Sequence, residues 1–266
     1  MPAYETIRLE IADGIATLTL DRPKAKNALD LVMRGELRDA VDRLDTDTDI
    51  RAIVFTGAGG DFCSGGDLKS MQDKRSANDG RRRLRGGIDW IVRFMTIDKP
   101  VIAAVDGVAY GAGFNLALMA DFVLATPRAR FCQSFGRVGL VPDFAGFYSL
   151  PRIVGMQKAK ELIFSAREIG AEEAKDLGLV YDIVPAEDLA EAARALAGRF
   201  LHASPVAIGV AKGILNQSFS SDLRQILEME ASGQGICMES EAHREAVRRF
   251  VAKEPARFVW PKATGG

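Results

Sequence analysis

Two glycine-rich turns and one carboxylate are the residues whose types and spacing can do chemistry. Residues 101–121 read VIAAVDGVAYGAGFNLALMAD. The run Val101 to Val105 is apolar throughout, the pattern of a strand buried on both faces. Asp106-Gly107 breaks it, and Gly111-Ala112-Gly113 leads into Phe114, Leu116, Ala117, Leu118 and Met119, the apolar start of a helix. A strand, a glycine turn and a buried helix leave main-chain N–H groups unpartnered at the base of a pocket, where the helix dipole also points its positive end. Such a turn holds a phosphate or a carbonyl oxygen gaining negative charge; it serves close packing equally well. Residues 51–56, RAIVFT, predict a second strand, followed by GAGGDFCSGGDLKS over 57–70. Two such turns, about fifty residues apart, can each supply one N–H to a single oxygen. The carboxylate is Asp143, between Pro142 and FAGFYSLPRIVG. It suits an N-cap. In a pocket walled by Phe135, Phe144 and Phe147 it would also be desolvated, with its pKa raised toward the range of a base.

Composition removes other chemistries. The only histidines are His202 and His243, both late in predicted helices, so a histidine triad or zinc site has little to draw on. Cys63, Cys132 and Cys237 share no metal or redox spacing, and no metal site is expected. The odd count and a start, MPAYETIRLE, without signal or transit pattern lead us to expect reduced thiols in a cytoplasm. A formal net charge of -1 gives no global field toward nucleic acid or membrane, and no apolar run is long enough to span a bilayer.

The elements that must position these residues are legible from pattern. Ile7, Leu9 and Ile11 alternate, as do Ile15, Thr17 and Thr19, around Asp13-Gly14, which predicts a hairpin. After the polar loop 21–29, Asp30 reads as N-cap of a helix with Met33, Leu37, Ala40, Val41 and Leu44 on one face. Residues 71–87 carry six basic residues against two acids, with no steady apolar period until Ile88, Trp90, Ile91 and Phe94. An RNA-binding patch, attraction of anionic phosphates and a solvated mobile face are the readings of that stretch. No aromatic residue interleaves the arginines to stack bases, so nucleic acid is disfavoured. Short strands are expected at 121–126 and 129–133, a segment over 144–155, helices at 158–164, 171–177 and 186–200, and a last strand at 181–184. From Ser204-Pro205 onward the pattern is helical, over 206–215, 223–229 and 242–251. These last helices expose apolar faces that suit another subunit.

The paired turns resemble the crotonase (enoyl-CoA hydratase/isomerase) superfamily. Phe62-Cys63-Ser64-Gly65-Gly66-Asp67-Leu68 and Asp106-Gly107 through Asp121 match both halves of its signature in order and spacing, and the resemblance extends over nearly the whole chain. It implies an α/β fold, a crotonase-like spiral of ββα repeats, with a C-terminal α-helical oligomerisation region. The expected division is a core over 1–203 with the acyl-CoA site and a trimerisation region over 204–266, assembling as a homotrimer or dimer of trimers. It implies an acyl-CoA thioester substrate, with coenzyme A part of that substrate and no separate cofactor. By motif position, the oxyanion-hole amides fall on Gly66 and Ala112. Ser64, Asp67 and Leu68 line the first turn; Asp67 either orients that turn or caps the segment after it. Lys24 and Lys26, with Arg22, sit where relatives approach the CoA phosphates, and Lys253 and Phe258 resemble residues that reach a neighbouring subunit's ligand.

The resemblance also exposes departures. A hydratase of this family places two glutamates near the alkene, and here those positions hold Asn115 and Phe135. Neither an amide nor a phenyl ring can activate water or protonate carbon. Asn115 satisfies local amides or hydrogen-bonds substrate; Phe135 reads as a pocket wall. In the family's isomerases a Pro-Asp at the place of Pro142-Asp143 supplies the base. The implied reaction is therefore a 3-enoyl to 2-enoyl shift with Asp143 as the single base. Alternatives are a hydratase with relocated groups, a dehalogenase or hydrolase with Asp143 as nucleophile, and a non-catalytic acyl-CoA- or RNA-binding homologue. Tyr148-Ser149-Leu150 looks like the dehalogenase, but the histidine used there has no evident counterpart.

Overall fold

The computed structural model describes residues 4–68 and 76–260. Strands β1 (Ile7–Ala12) and β2 (Ile15–Leu20) pair antiparallel across Asp13 and Gly14, whose φ values of 52° and 75° are those a two-residue hairpin turn needs. Helix α1 (Leu31–Thr46) starts where the Asp30 carboxylate accepts from the Met33 N–H at 2.8 Å, and it buries Met33, Leu37, Ala40, Val41 and Leu44. The expected stripe and cap are both present.

Beyond α1 the chain runs through β3 (Ala52–Gly57), α2 (Ala77–Arg85), α3 (Ile88–Thr96), β4 (Val101–Val105), β5 (Val108–Tyr110), α4 (Ala112–Ala117), β6 (Phe122–Ala125), β7 (Arg130–Cys132) and α5 (Gly146–Ser165). It continues with β8 (Glu168–Gly170), α6 (Ala171–Asp176), β9 (Asp182–Ile183), α7 (Leu189–Arg199), α8 (Pro205–Gln217), α9 (Leu223–Met238) and α10 (Glu241–Val251). The main sheet has the order β1-β2-β3-β4-β6-β9, parallel from β2 onward, and β5-β7-β8 form a second sheet. The turns that begin with β4 and β6 each lay one strand in the main sheet and one short strand, β5 or β7, in the second sheet before a helix follows.

Every residue of β4 is buried, as a strand covered on both faces requires. Ala103 and Val105 belong to the larger core with Met33, Leu37, Phe55 and Phe94, whereas Ile102 and Ala104 pack with Leu189, Ala193 and Leu196 of α7.

Some boundaries differ from expectation. The helix expected at 158–164 is the end of α5, which begins at Gly146 and kinks at Gly155, where φ is 76°. Glycine and proline at 146, 151 and 155 read as breakers, and one of them is. Helix α9 runs on to Met238, and Gly233 within it allows close packing on α8; a Cβ there would lie 2.6 Å from Val210 Cγ1. Strand β5 was hidden between Gly107 and Gly111, since its pairing with β7 is non-local.

Of the basic stretch, Lys74 and Arg75 lie outside the described residues. Helix α2 carries Arg81, Arg82, Arg83 and Arg85 and buries nothing. Ser204 caps α8, whose Lys212 is buried and bonds Asp121 at 2.7 Å and the Lys99 carbonyl at 3.1 Å. Leu215, Phe219, Leu223, Ile236, Phe250 and Val251 on and between the last helices are exposed. Among the described residues no helix is long and apolar enough to cross a membrane.

Candidate active site

The first glycine turn is built around Asn27. Its buried amide donates to the carbonyls of Ala58 at 2.9 Å and Asp61 at 2.7 Å, and accepts from the Arg22 N–H. The chain then pairs on two sides. Cys63 N–H donates to Val108 O and Tyr110 N–H to Cys63 O, both at 2.9 Å. Opposite, Leu29 N–H donates to Gly65 O at 2.8 Å and Asp67 N–H to Leu29 O at 3.1 Å. That parallel bridge uses the groups flanking Gly66 and turns the Gly66 N–H away from Leu29, with no acceptor among the described residues.

The second turn interlocks with the first. Gly65 has φ 99°, and a Cβ there would come to 2.8 Å from Tyr110 O and 3.6 Å from Ala112 N. A Cβ on Gly113 would collide with the Cys63 carbonyl. These two glycines let the turns touch, which brings the Ala112 N–H beside the Gly65-Gly66 segment. Ala112 is the first residue of α4, so its N–H has no intrahelical partner, and no other described residue accepts from it.

Asp143 lies on the loop before α5. Phe144 and Ala145 both adopt left-handed backbone, with φ 46° and 60°, a conformation non-glycine residues hold only when their surroundings enforce it. Here the Asn115 amide donates to the Asp143 carbonyl at 2.7 Å, and Gln133 Nε2 donates to Asn115 Oδ1 at 2.8 Å. Gly146 packs directly on the Asn115 amide. The residue in the cap position of α5 is Ala145, without a side-chain cap bond, so Asp143 is not an N-cap. Its Oδ1 is buried with no hydrogen-bond partner among the described residues. Burial pushes its pKa up, and the Arg34 and Arg83 charges partly oppose that rise.

Arg34 comes from the start of α1. Burial pulls its pKa down, partly offset by Asp143, and its guanidinium carbon lies 4.9 Å from the centre of the Phe144 ring. Trp90 meets the same ring edge-on at 5.8 Å. Phe135 is buried, within reach of a Cβ built on Gly111, whereas Phe147 is 56% exposed and walls nothing. A residue at the start of a surface helix turns out where the loop's two left-handed residues aim it, which the alternation of apolar residues does not encode. Trp90 stands where Phe147 was expected.

The remaining candidates are spread around this centre. Asn115 is 1% exposed, and both ends of its amide are engaged; it holds other segments rather than the local amides of its own helix turn. Ser64 donates to the Ala25 carbonyl at 3.3 Å. Asp67 accepts from Arg22, which also lies 3.2 Å from Asp30, an orienting role for the turn. Leu68 is exposed. Lys24 and Lys26 are exposed, the latter 3.6 Å from Asp61. Lys253 is exposed after α10, and Phe258 packs near Trp260, which itself lies on Phe122 and Phe200 of the same chain. Burial pushes the Cys63 thiol up to about 12, which excludes a thiolate nucleophile at neutral pH. The Tyr148 hydroxyl donates to the Asn216 carbonyl at 2.6 Å. His202 is in a 3-10 turn over Phe200–His202 and His243 is in the first turn of α10, so neither is on an element that builds the site.

Sequence reasoning missed Arg34, Trp90 and Gln133. An arginine next to an apolar helical stripe reads as solvated, and the 18-residue separation of Gln133 from Asn115 carries no pattern.

Comparison with known proteins adds independent findings. The family model described as enoyl-CoA hydratase/isomerase matches residues 10–260. A protein of Rhodobacter capsulatus named probable enoyl-CoA hydratase is 41% identical, with 97% of this chain and 99% of its own length covered. The 1,2-epoxyphenylacetyl-CoA isomerase of Escherichia coli is 34% identical, with 96% and 98% covered. The crystal structure of an enoyl-CoA hydratase/isomerase from Cupriavidus metallidurans superposes with a TM-score of 0.94 at 37% identity, covering 99% of this chain and all of that one.

Proposed function

The chain belongs to the enoyl-CoA hydratase/isomerase family, and we propose that within it the protein is an isomerase, moving a carbon–carbon double bond of an acyl-CoA thioester from the 3 to the 2 position. The thioester oxygen accepts from the N–H groups of Gly66 and Ala112. Asp143 Oδ1 removes a proton from C2 of the 3-enoyl group, and the electron pair passes into a dienolate whose charge rests on that oxygen. The same carboxyl returns the proton to C4, and the double bond closes between C2 and C3. Two preorganised donors suit this charge development, each worth about 2.7–4 kcal/mol when removed from comparable sites.

The observation that carries the reading is a buried, unpartnered carboxylate oxygen with a raised pKa, on a loop tied to the helix that starts with Ala112. Raising the pKa of a carboxylate makes it a stronger base toward a carbon-bound proton, which it can then also return. The isomerase named in Escherichia coli favours the same class. The name of the Rhodobacter capsulatus relative favours hydration instead. Hydration needs a second group to handle water, and Asn115 and Phe135 supply neither acid nor base at the expected positions. Lys24 and Lys26 serve the CoA phosphates in this proposal, and the exposed apolar residues of the last helices serve trimer formation.

The test is to incubate purified protein with 3-hexenoyl-CoA and, separately, 2-hexenoyl-CoA and to follow the carbon positions by NMR. Interconversion of the two without a 3-hydroxyacyl product supports isomerisation; accumulation of 3-hydroxyhexanoyl-CoA overturns it.

A further inference from the structure

The loop that carries Asp143 is held by more than the Asn115 amide. One hydrogen bond to the Asp143 carbonyl fixes a single point, about which the peptide plane can still swing. Phe144 and Ala145 nevertheless keep left-handed backbone, at φ 46° and 60°, which needs a further constraint. The Phe144 ring supplies it. The ring is buried, with the Trp90 indole 5.8 Å from its centre at 65° and the Arg34 guanidinium carbon at 4.9 Å. Edge-to-face contact of this kind is the favoured arrangement of two aromatic rings. Of the two neighbours, Trp90 is uncharged and so cannot act on Asp143 through charge.

Trp90 stands on α3, whose other buried residue is Phe94, one turn later on the same face. Phe94 meets Phe55 of β3 at 5.6 Å and 83°, and Phe55 meets Phe62 at 5.3 Å and 72°. These three rings are fully buried, and interiors packed this closely yield little. Phe62 heads the first glycine turn, its N–H donating to the Asp106 carbonyl at 2.8 Å. One short helix therefore grips the base loop at Trp90 and, through Phe94 and Phe55, the turn that carries Gly66. Asn115 does the same toward the second turn, since it lies on α4 behind Ala112.

Resting on the isomerase reading of the site, we infer that Trp90 is a positioning residue: through the Phe144 ring it sets where the Asp143 carboxyl stands relative to the Gly66 N–H, without itself touching substrate. Without the indole the Phe144 ring is free to turn, the residue relaxes out of left-handed backbone, and the carboxyl swings with the peptide.

The test compares wild type, Trp90→Leu and Trp90→Phe in two measurements. In turnover of 3-hexenoyl-CoA, Trp90→Leu is expected to lose roughly ten- to hundredfold in kcat, with KM and calorimetric binding of hexanoyl-CoA little changed, and Trp90→Phe to recover most of the loss. In crystal structures of the variants, Phe144 is expected to leave the left-handed region in Trp90→Leu and to keep it in Trp90→Phe. A lowered melting temperature with kcat intact overturns the inference, because the indole is then only packing. A parallel loss of kcat and hexanoyl-CoA binding overturns it too, because the indole then serves the acyl group. So does a Trp90→Leu structure in which Phe144 and the Asp143 carboxyl stay as in the wild type. Where Trp90→Leu fails to fold, Phe144→Leu, which keeps apolar bulk but removes the ring, is judged by the same turnover and binding measurements and by the position of its Asp143 carboxyl. Failure of the isomerase reading is seen separately, as a wild type that moves no double bond, and the crystal structures then decide the positioning.

Discussion

The side-chain amide of Asn115 donates to the main-chain carbonyl of Asp143 at 2.7 Å, so the helix that begins with Ala112 and the loop that carries the carboxylate are joined by one residue. The Asn115 amide therefore has a mechanical role. It helps to hold two consecutive left-handed residues, and Gln133 fixes which way the amide faces.

Asn115→Ala removes that tie. Loss of a buried hydrogen bond predicts about 1–3 kcal/mol of destabilisation by chemical denaturation. Displacement of the carboxylate predicts a fall in kcat of roughly ten- to hundredfold with KM little changed. Unaltered kcat in a destabilised protein would mean that the loop keeps its shape without Asn115.

The raised pKa of Asp143 has a signed consequence for stability. Because burial lifts the folded-state value above that of the unfolded chain, the stability from this group is complete below the unfolded pKa and is lost as pH rises through the folded one. Asp143→Asn, neutral throughout, escapes the loss. Its melting temperature should exceed that of the wild type at pH 7, and the gap should shrink toward about pH 4. A gap independent of pH contradicts the assignment. In turnover, the acid limb of kcat/KM should sit above the ordinary carboxylate range and move higher still in Arg34→Gln, which removes an opposing positive charge.

Gly65→Ala probes the contact between the two turns. The φ of 99° and the 2.8 Å approach to Tyr110 O predict strain of about 1–3 kcal/mol and a loss of activity, as the Gly66 and Ala112 donors are driven apart. Wild-type turnover by this variant would show that the turns need not touch.

How much of this was legible in the sequence depends on whether the signal was local. The hairpin at Asp13-Gly14, the Asp30 cap and the doubly buried β4 are set by neighbouring residues, and the structure has all three. The glycines announced the two turns, since only glycine fits at Gly65 and Gly113. The carboxylate stood out at Pro142-Asp143. The residues around it did not: Arg34 from α1 and Trp90 from α3 meet the neighbouring Phe144 ring, and Gln133 from just beyond β7 meets Asn115, each brought there by the spiral rather than by spacing. Phe147 was misplaced for the same reason, because the left-handed pair at Phe144 and Ala145 swings α5 so that it faces outward.

Lys212→Met tests how the C-terminal helices are held. Lys212 is buried and its partner Asp121, partly exposed, also accepts from the Val101 N–H at the head of β4. Removing one member of such a pair predicts about 3 kcal/mol of destabilisation, the lower end of the range for buried pairs because Asp121 keeps some water. A double-mutant cycle with Asp121→Asn should return a coupling; strict additivity would mean the two act independently.

The most direct measurement is the rate of double-bond migration in 3-hexenoyl-CoA by wild type and Asp143→Asn, alongside calorimetric binding of hexanoyl-CoA to both. The account predicts migration abolished in Asp143→Asn with binding retained. A variant that isomerises at the wild-type rate contradicts it.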